Sequence, residues 1–67
     1  MTTLYLDRKD LTVAHHAGRL RLKAGPAAQD VPLALLERVV VAAAVRLDSS
    51  VLGALAERGI GVLLLGP

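Results

Sequence analysis

The sequence predicts an α+β domain rich in β-structure: an antiparallel meander, a βαβ unit and one main helix. Three observations predict it. Residues 1–24 alternate apolar and polar side chains in short runs, the period of half-buried strands. Residues 31–47 are nearly continuous in apolar character, as strands buried on both faces are. After residue 48 the apolar positions recur at helical spacing, and a second apolar run, Val62 to Leu65, follows the helix at once.

The elements follow in order. Residues 3–7, "TLYLD", place Leu4 and Leu6 on one face of a strand and Tyr5 on the other. "RKD" at 8–10 is a turn. In residues 11–17, "LTVAHHA", Leu11 and Val13 share a face until Gly18 breaks the pattern. "RLRLKA" at 19–24 is the cleanest alternation, with Leu20 and Leu22 opposite Arg19, Arg21 and Lys23. These three runs form the expected meander. "GPAAQD" reads as a turn or short loop, because Gly25 and Pro26 together punctuate the chain. Pro32 cannot donate to a ladder, so residues 31–33 form an edge strand or a tight turn. "LALLE" makes one helical turn, and "RVVVAAAVRL" at 38–47 a buried strand.

Residues 48–59, "DSSVLGALAERG", carry the clearest helix. Asp48 or Ser49 caps its first turn. Leu52 and Leu55, with Val51 and Ala56, make its apolar face. Gly59 stands where a left-handed residue ends a helix. Gly53 costs the helix about 1 kcal/mol relative to Ala, which a close helix–sheet approach would explain. "IGVLLL" is then a final buried strand, parallel to the one before the helix.

Sixty-seven residues make one domain at most. A core of this size supplies only ~3–5 kcal/mol of net stability. There is no cysteine, so disulfides and thiolate metal sites are excluded. Oligomerisation, or docking onto a further domain, is the expected supplement. There is no apolar run near the ~20 residues of a membrane helix. A formal charge of +2 and a pI near 9.7 permit contact with nucleic acid without requiring it.

Little in the chain gathers chemistry. His15 and His16 are adjacent, so a strand points them to opposite faces, and a shared metal would need Asp7, Asp10 or Glu37 to converge on one of them. The carboxylates Asp7, Asp10, Asp30, Glu37, Asp48 and Glu57 fall mostly in expected turns or helix ends, with no spacing that suggests acid–base work. No nucleophile elbow, phosphate-binding loop or zinc-protease motif is present. Arg19, Arg21 and Lys23 are different. Cations at every second strand residue line one face over roughly 13 Å, and such a row can follow a phosphate backbone. No aromatic side chain interleaves with them, so base stacking is unsupported.

Three stretches in one order carry a resemblance: "TLYLDRKDLTV", "VPLALLERVVV" and "LDSSVLGALAERGIGVLLLG". Together they resemble the N-terminal domain of the CRISPR-associated integrase family, the catalytic subunit of spacer acquisition. The resemblance covers essentially the whole chain. It implies a small sandwich-like domain, residues 1–67, that supports a two-fold homodimer and helps to hold incoming DNA. Relatives are metal-dependent DNA endonucleases and integrases of antiviral defence. They join the 3′ ends of double-stranded DNA to the repeat array with a small partner subunit.

The same resemblance places the metal ligands, a Glu, a His and an Asp, in a helical C-terminal domain. No residue of this chain matches them. The expectation is therefore a non-catalytic domain with no catalytic, metal or cofactor-binding residue. Magnesium or manganese belongs to a catalytic domain beyond these residues. DNA contacts fall to Arg19, Arg21 and Lys23, and the setting is cytoplasmic, away from membranes. The apolar end of the chain agrees with the front part of a longer protein. The competing expectation is a stand-alone β-rich module that self-associates and has no link to DNA.

Overall fold

Alternation along the chain builds two sheets, whose inward faces share one core. The structure is a computed structural model and describes residues 2–65. The strands are β1 (Thr2–Leu6), β2 (Thr12–His16), β3 (Arg19–Ala24), β4 (Ala27–Pro32), β5 (Leu36–Val41), β6 (Arg46–Leu47) and β7 (Gly61–Leu64). A single 3₁₀ turn, Leu33–Leu35, leads into β5, and one α-helix, α1 (Ser49–Glu57), leads to β7. One sheet has the order β4-β3-β2-β6 and the other β1-β5-β7. The β-rich α+β class expected from the sequence is the class found.

The meander is real, but it is shifted by one strand. The expected antiparallel set was residues 3–7, 11–17 and 19–24; the observed set is β2, β3 and β4. β1 instead pairs parallel with β5, in the other sheet. The alternation of β1 identifies its apolar face but not its partner. Leu4 and Leu6 stand in register with Val39 and Val41, and pairing there completes a shared apolar surface. Glu37 is the extra residue of a bulge where β1 meets β5.

Turn chemistry explains the second correction. β2 and β3 join through Ala17 and Gly18, both with positive φ, 50° and 75°. That is the requirement of a type I′ hairpin, whose twist matches its strands. β3 and β4 join through Gly25 and Pro26. Only the glycine has positive φ, 61°, as in a II′ turn. "GPAAQD" is therefore a hairpin turn followed by a strand, not a loop. Ala and Asp are depleted in strands, so the first four residues of β4, Ala27 to Asp30, are invisible without their ladder to β3. Pro32 ends β4 at the sheet edge, as a residue without an N–H should.

The long apolar run also divides. β5 stops at Val41, and Ala42 donates its N–H to the Leu6 carbonyl at 2.9 Å. Residues 42–45 then carry the chain to the other sheet. There Arg46 and Leu47 pair parallel with Thr12 and Val13. The expected strand over 38–47 is thus two strands in two sheets.

α1 is closed at both ends. The Asp48 carboxylate accepts from the Ser50 N–H at 3.3 Å, so of the two N-cap candidates Asp48 and Ser49 it is Asp48 that caps the helix. At the other end Gly59 has φ 67°. The Gly59 N–H donates to the Ala56 carbonyl at 3.1 Å, and the Ile60 N–H to the Leu55 carbonyl at 2.9 Å. These two bonds make a Schellman motif, and Ile60 and Leu55 supply its usual hydrophobic pair. The buried face of α1 is Val51 and Leu55, with Ala54 beside them; Leu52 and Ala56 are exposed. Nothing lies within 4 Å of where a Cβ on Gly53 would stand, so no close helix–sheet approach explains that glycine.

The core joins Leu6, Val13, Leu20, Leu22, Leu33, Val39, Val51 and Leu55 with their neighbours. No described side chain leaves a buried polar atom without a partner. β7 does pair parallel with β5, Val39 to Val62 through Val41 to Leu64. It is not buried, however. Leu63 is 50% exposed and Leu64 70%, and β7 is an edge strand among the described residues.

Candidate nucleic-acid interface

The four-stranded sheet turns its leucines inward and its charges outward. Residues opposite each other in a sheet share a face. Three rows therefore cross its outer surface: His16, Arg19 and Pro32; Ala14, Arg21 and Asp30; and Arg46, Thr12, Lys23 and Ala28. Arg19, Arg21 and Lys23 are all exposed on this face, as the alternation of β3 requires. Successive members stand ~6.7 Å apart along the strand.

Two residues that sequence reasoning did not single out change this face. Arg46 lies in register with Thr12. Its neighbour Leu47 packs toward the core, so Arg46 projects outward, level with Lys23. Asp30 faces Arg21 across the β3–β4 ladder. Arg21 donates from Nε to Asp30 Oδ1 at 3.0 Å and from Nη2 to Oδ2 at 3.2 Å. This two-point fork is the strong geometry for a guanidinium and a carboxylate. Its hydrogen bonds, and then its charge, hold the Asp30 carboxyl below its ordinary range; Arg19 and His16 act weakly in the same direction. The Arg21 guanidinium is correspondingly raised by the bond to Asp30 and by its charge. Arg21–Asp30 is the only ion pair among the described residues. Arg19, Lys23 and Arg46 stand there without a carboxylate partner.

The histidines separate as strand geometry demands. His15 is half-buried opposite Leu20, while His16 is exposed beside Arg19. Among the described residues, no three His, Asp or Glu side chains come together as a metal would need. The divalent ion implied by the resemblance finds no fitting ligand set among the described residues. A cavity of about 460 Å³ beside the end of α1 has Glu37 and Arg58 in its lining. One acid and one base with no nucleophile do not make a site.

The model of the family described as CRISPR associated protein Cas1 matches residues 4–67. The chain belongs to the Cas1 family. Its role is accordingly CRISPR-associated. Among solved structures it is similar to a CAS1 protein from Thermotoga maritima, at 19% sequence identity and a TM-score of 0.81 over 96% of this chain. At that identity the likeness establishes the fold, including its two sheets and one helix. The chain spans 20% of that Cas1 protein's length. No curated protein sequence matches it. No helix among the described residues is long and apolar enough to cross a membrane.

Proposed function

We propose that these residues form a non-catalytic N-terminal domain of a Cas1-family integrase. It supports homodimerisation and holds double-stranded DNA during spacer acquisition. The observation that carries the reading is the division of labour between the two outer faces. One sheet offers the cations Arg19, Lys23 and Arg46 to solvent. The other offers Tyr5 and Leu63. A phosphate backbone needs the first, and a protein partner covers the second. Catalysis, with magnesium or manganese, then falls to a helical domain outside residues 1–67. The small partner subunit and the cytoplasmic setting belong to the same proposal. Family membership favours it over a self-associating module unrelated to DNA.

The test is direct. Residues 1–67 are incubated with branched and linear DNA and manganese. The expected result is retention of duplex at low salt, with no cleaved or joined product. Strand cleavage or joining above background would overturn the assignment of chemistry elsewhere.

A further inference from the structure

We propose that Asp30 masks Arg21 on the cation face, so that the phosphate path runs through Arg19, Lys23 and Arg46. This inference rests on the DNA-holding role proposed above and names the residues that carry it. A guanidinium already forked onto a carboxylate has its best donor geometry in use. To contact a phosphate it must break two charge-assisted hydrogen bonds, or bring the phosphate next to the Asp30 charge. Arg21 therefore contributes no net cation to the face, although it sits at the centre of the β3 row.

The remaining cations lie on a different line. Arg19 and Lys23 are separated by ~13 Å along β3, at about 3.3 Å per residue. Lys23 and Arg46 are two strands apart, with Thr12 between them, or ~9.6 Å across the sheet. The unmasked charge turns a corner at Lys23, from along the strand to across it. Neutralising Asp30 releases Arg21 and fills the gap between Arg19 and Lys23.

Affinity for a duplex of fixed length, measured with the protein as its gene encodes it, tests this between about 50 and 200 mM salt. D30N is expected to bind more tightly at low salt and to steepen the logarithmic salt slope by ~0.9, one phosphate contact. That is about a 3.5-fold larger loss of affinity over the fourfold salt range. R21Q/D30N, which removes both partners, is expected to return the slope to the wild-type value. R46Q and K23Q are each expected to flatten it by ~0.9.

The failures are distinguishable. Flattening by R46Q and K23Q without steepening by D30N overturns the masking and leaves the DNA-holding role standing. Unchanged slopes in R19Q, K23Q and R46Q overturn the DNA-holding role and the masking with it. D30A covers the case in which the Asn amide still holds Arg21. If D30A also leaves the slope unchanged, the masking is wrong.

Discussion

The two sheets share a core but differ in what they show to solvent. On the four-stranded sheet the outward residues are Arg19, Arg21, Lys23, Arg46 and His16, relieved by one carboxylate. On the three-stranded sheet the outward row is Tyr5, Val40 and Leu63. Tyr5 is 64% exposed, yet Val40, between its two neighbours, is 4% exposed. The difference accords with strand direction, since β2, β3 and β4 are antiparallel and only the two-residue β6 joins them parallel. Antiparallel sheets commonly keep one wet face, whereas purely parallel sheets are found with both faces covered. The meander is complete in water as it stands. The parallel sheet is filled on its inward face only over β1 and β5: Leu64, in register with Val41 and Leu6, is 70% exposed, as Tyr5 and Leu63 are exposed on the outward face.

The largest expected effect breaks the apolar side of this comparison. L63D places a charge on the outward face at a half-exposed position, beside Val40. If Leu63 lies at the centre of a dimer contact, its loss weakens association by at least ~2 kcal/mol, roughly thirtyfold in the dimer constant. Light scattering across a concentration series reads it. An unchanged assembly places the interface elsewhere. The cation face should not notice the change: the DNA salt slope per protomer stays the same.

The converse experiment comes second. R19E/K23E/R46E leaves the core and the β7 edge untouched. It is expected to flatten the duplex salt slope by up to ~2.7, three contacts at ~0.9 each, with the oligomeric state unchanged. An unaltered slope would return the row to a solvated strand face. Loss of oligomerisation in this variant would erase the separation of the two faces.

What the sequence disclosed, and what it hid, divides along physical lines. Local signals were legible. The alternation of "RLRLKA" placed β3 at residues 19–24, and Asp48 and Gly59 marked the ends of α1 through capping and positive φ. Partner choice was not legible, because a period of two identifies a face and says nothing about which strand lies alongside. β1 was therefore assigned to the wrong sheet, and β4 was read only at Val31 and Pro32, because Ala27 to Asp30 carry little strand preference. The hydropathy of Val62 to Leu65 suggested burial, but hydropathy alone does not reveal whether an element lies over a strand, and Val62 to Leu65 are exposed. The site divides in the same way. Arg19, Arg21 and Lys23 could be read from one strand. Asp30 and Arg46 acquire meaning only when β4 and β6 are laid beside their partners.

A third prediction addresses the frame that both faces share. D48A removes the carboxylate that accepts from the Ser50 N–H and is expected to cost about 1 kcal/mol. In a domain with only a few kcal/mol of net stability, that is a visible fall in the thermal midpoint. Because α1 sits against β2 and continues into β7, both faces should lose function together and in proportion to unfolding. A selective loss at either face would mean that Asp48 contributes to a contact there.

The smallest effect runs in the opposite direction. Gly53 occupies the interior of α1, is exposed, and has open space where a Cβ would stand. Its backbone is helical, so no left-handed conformation requires glycine there. G53A is therefore expected to raise stability by roughly 0.5–1 kcal/mol, by reducing the freedom of the unfolded chain. Urea denaturation with an unchanged m-value would show it. If the cation face and the apolar face are independent, DNA slope and oligomeric state stay as they were while the midpoint rises. If G53A instead weakens association, the exposed side of α1, which includes Leu52, belongs to the covered surface, and the apolar region extends from β7 onto the helix.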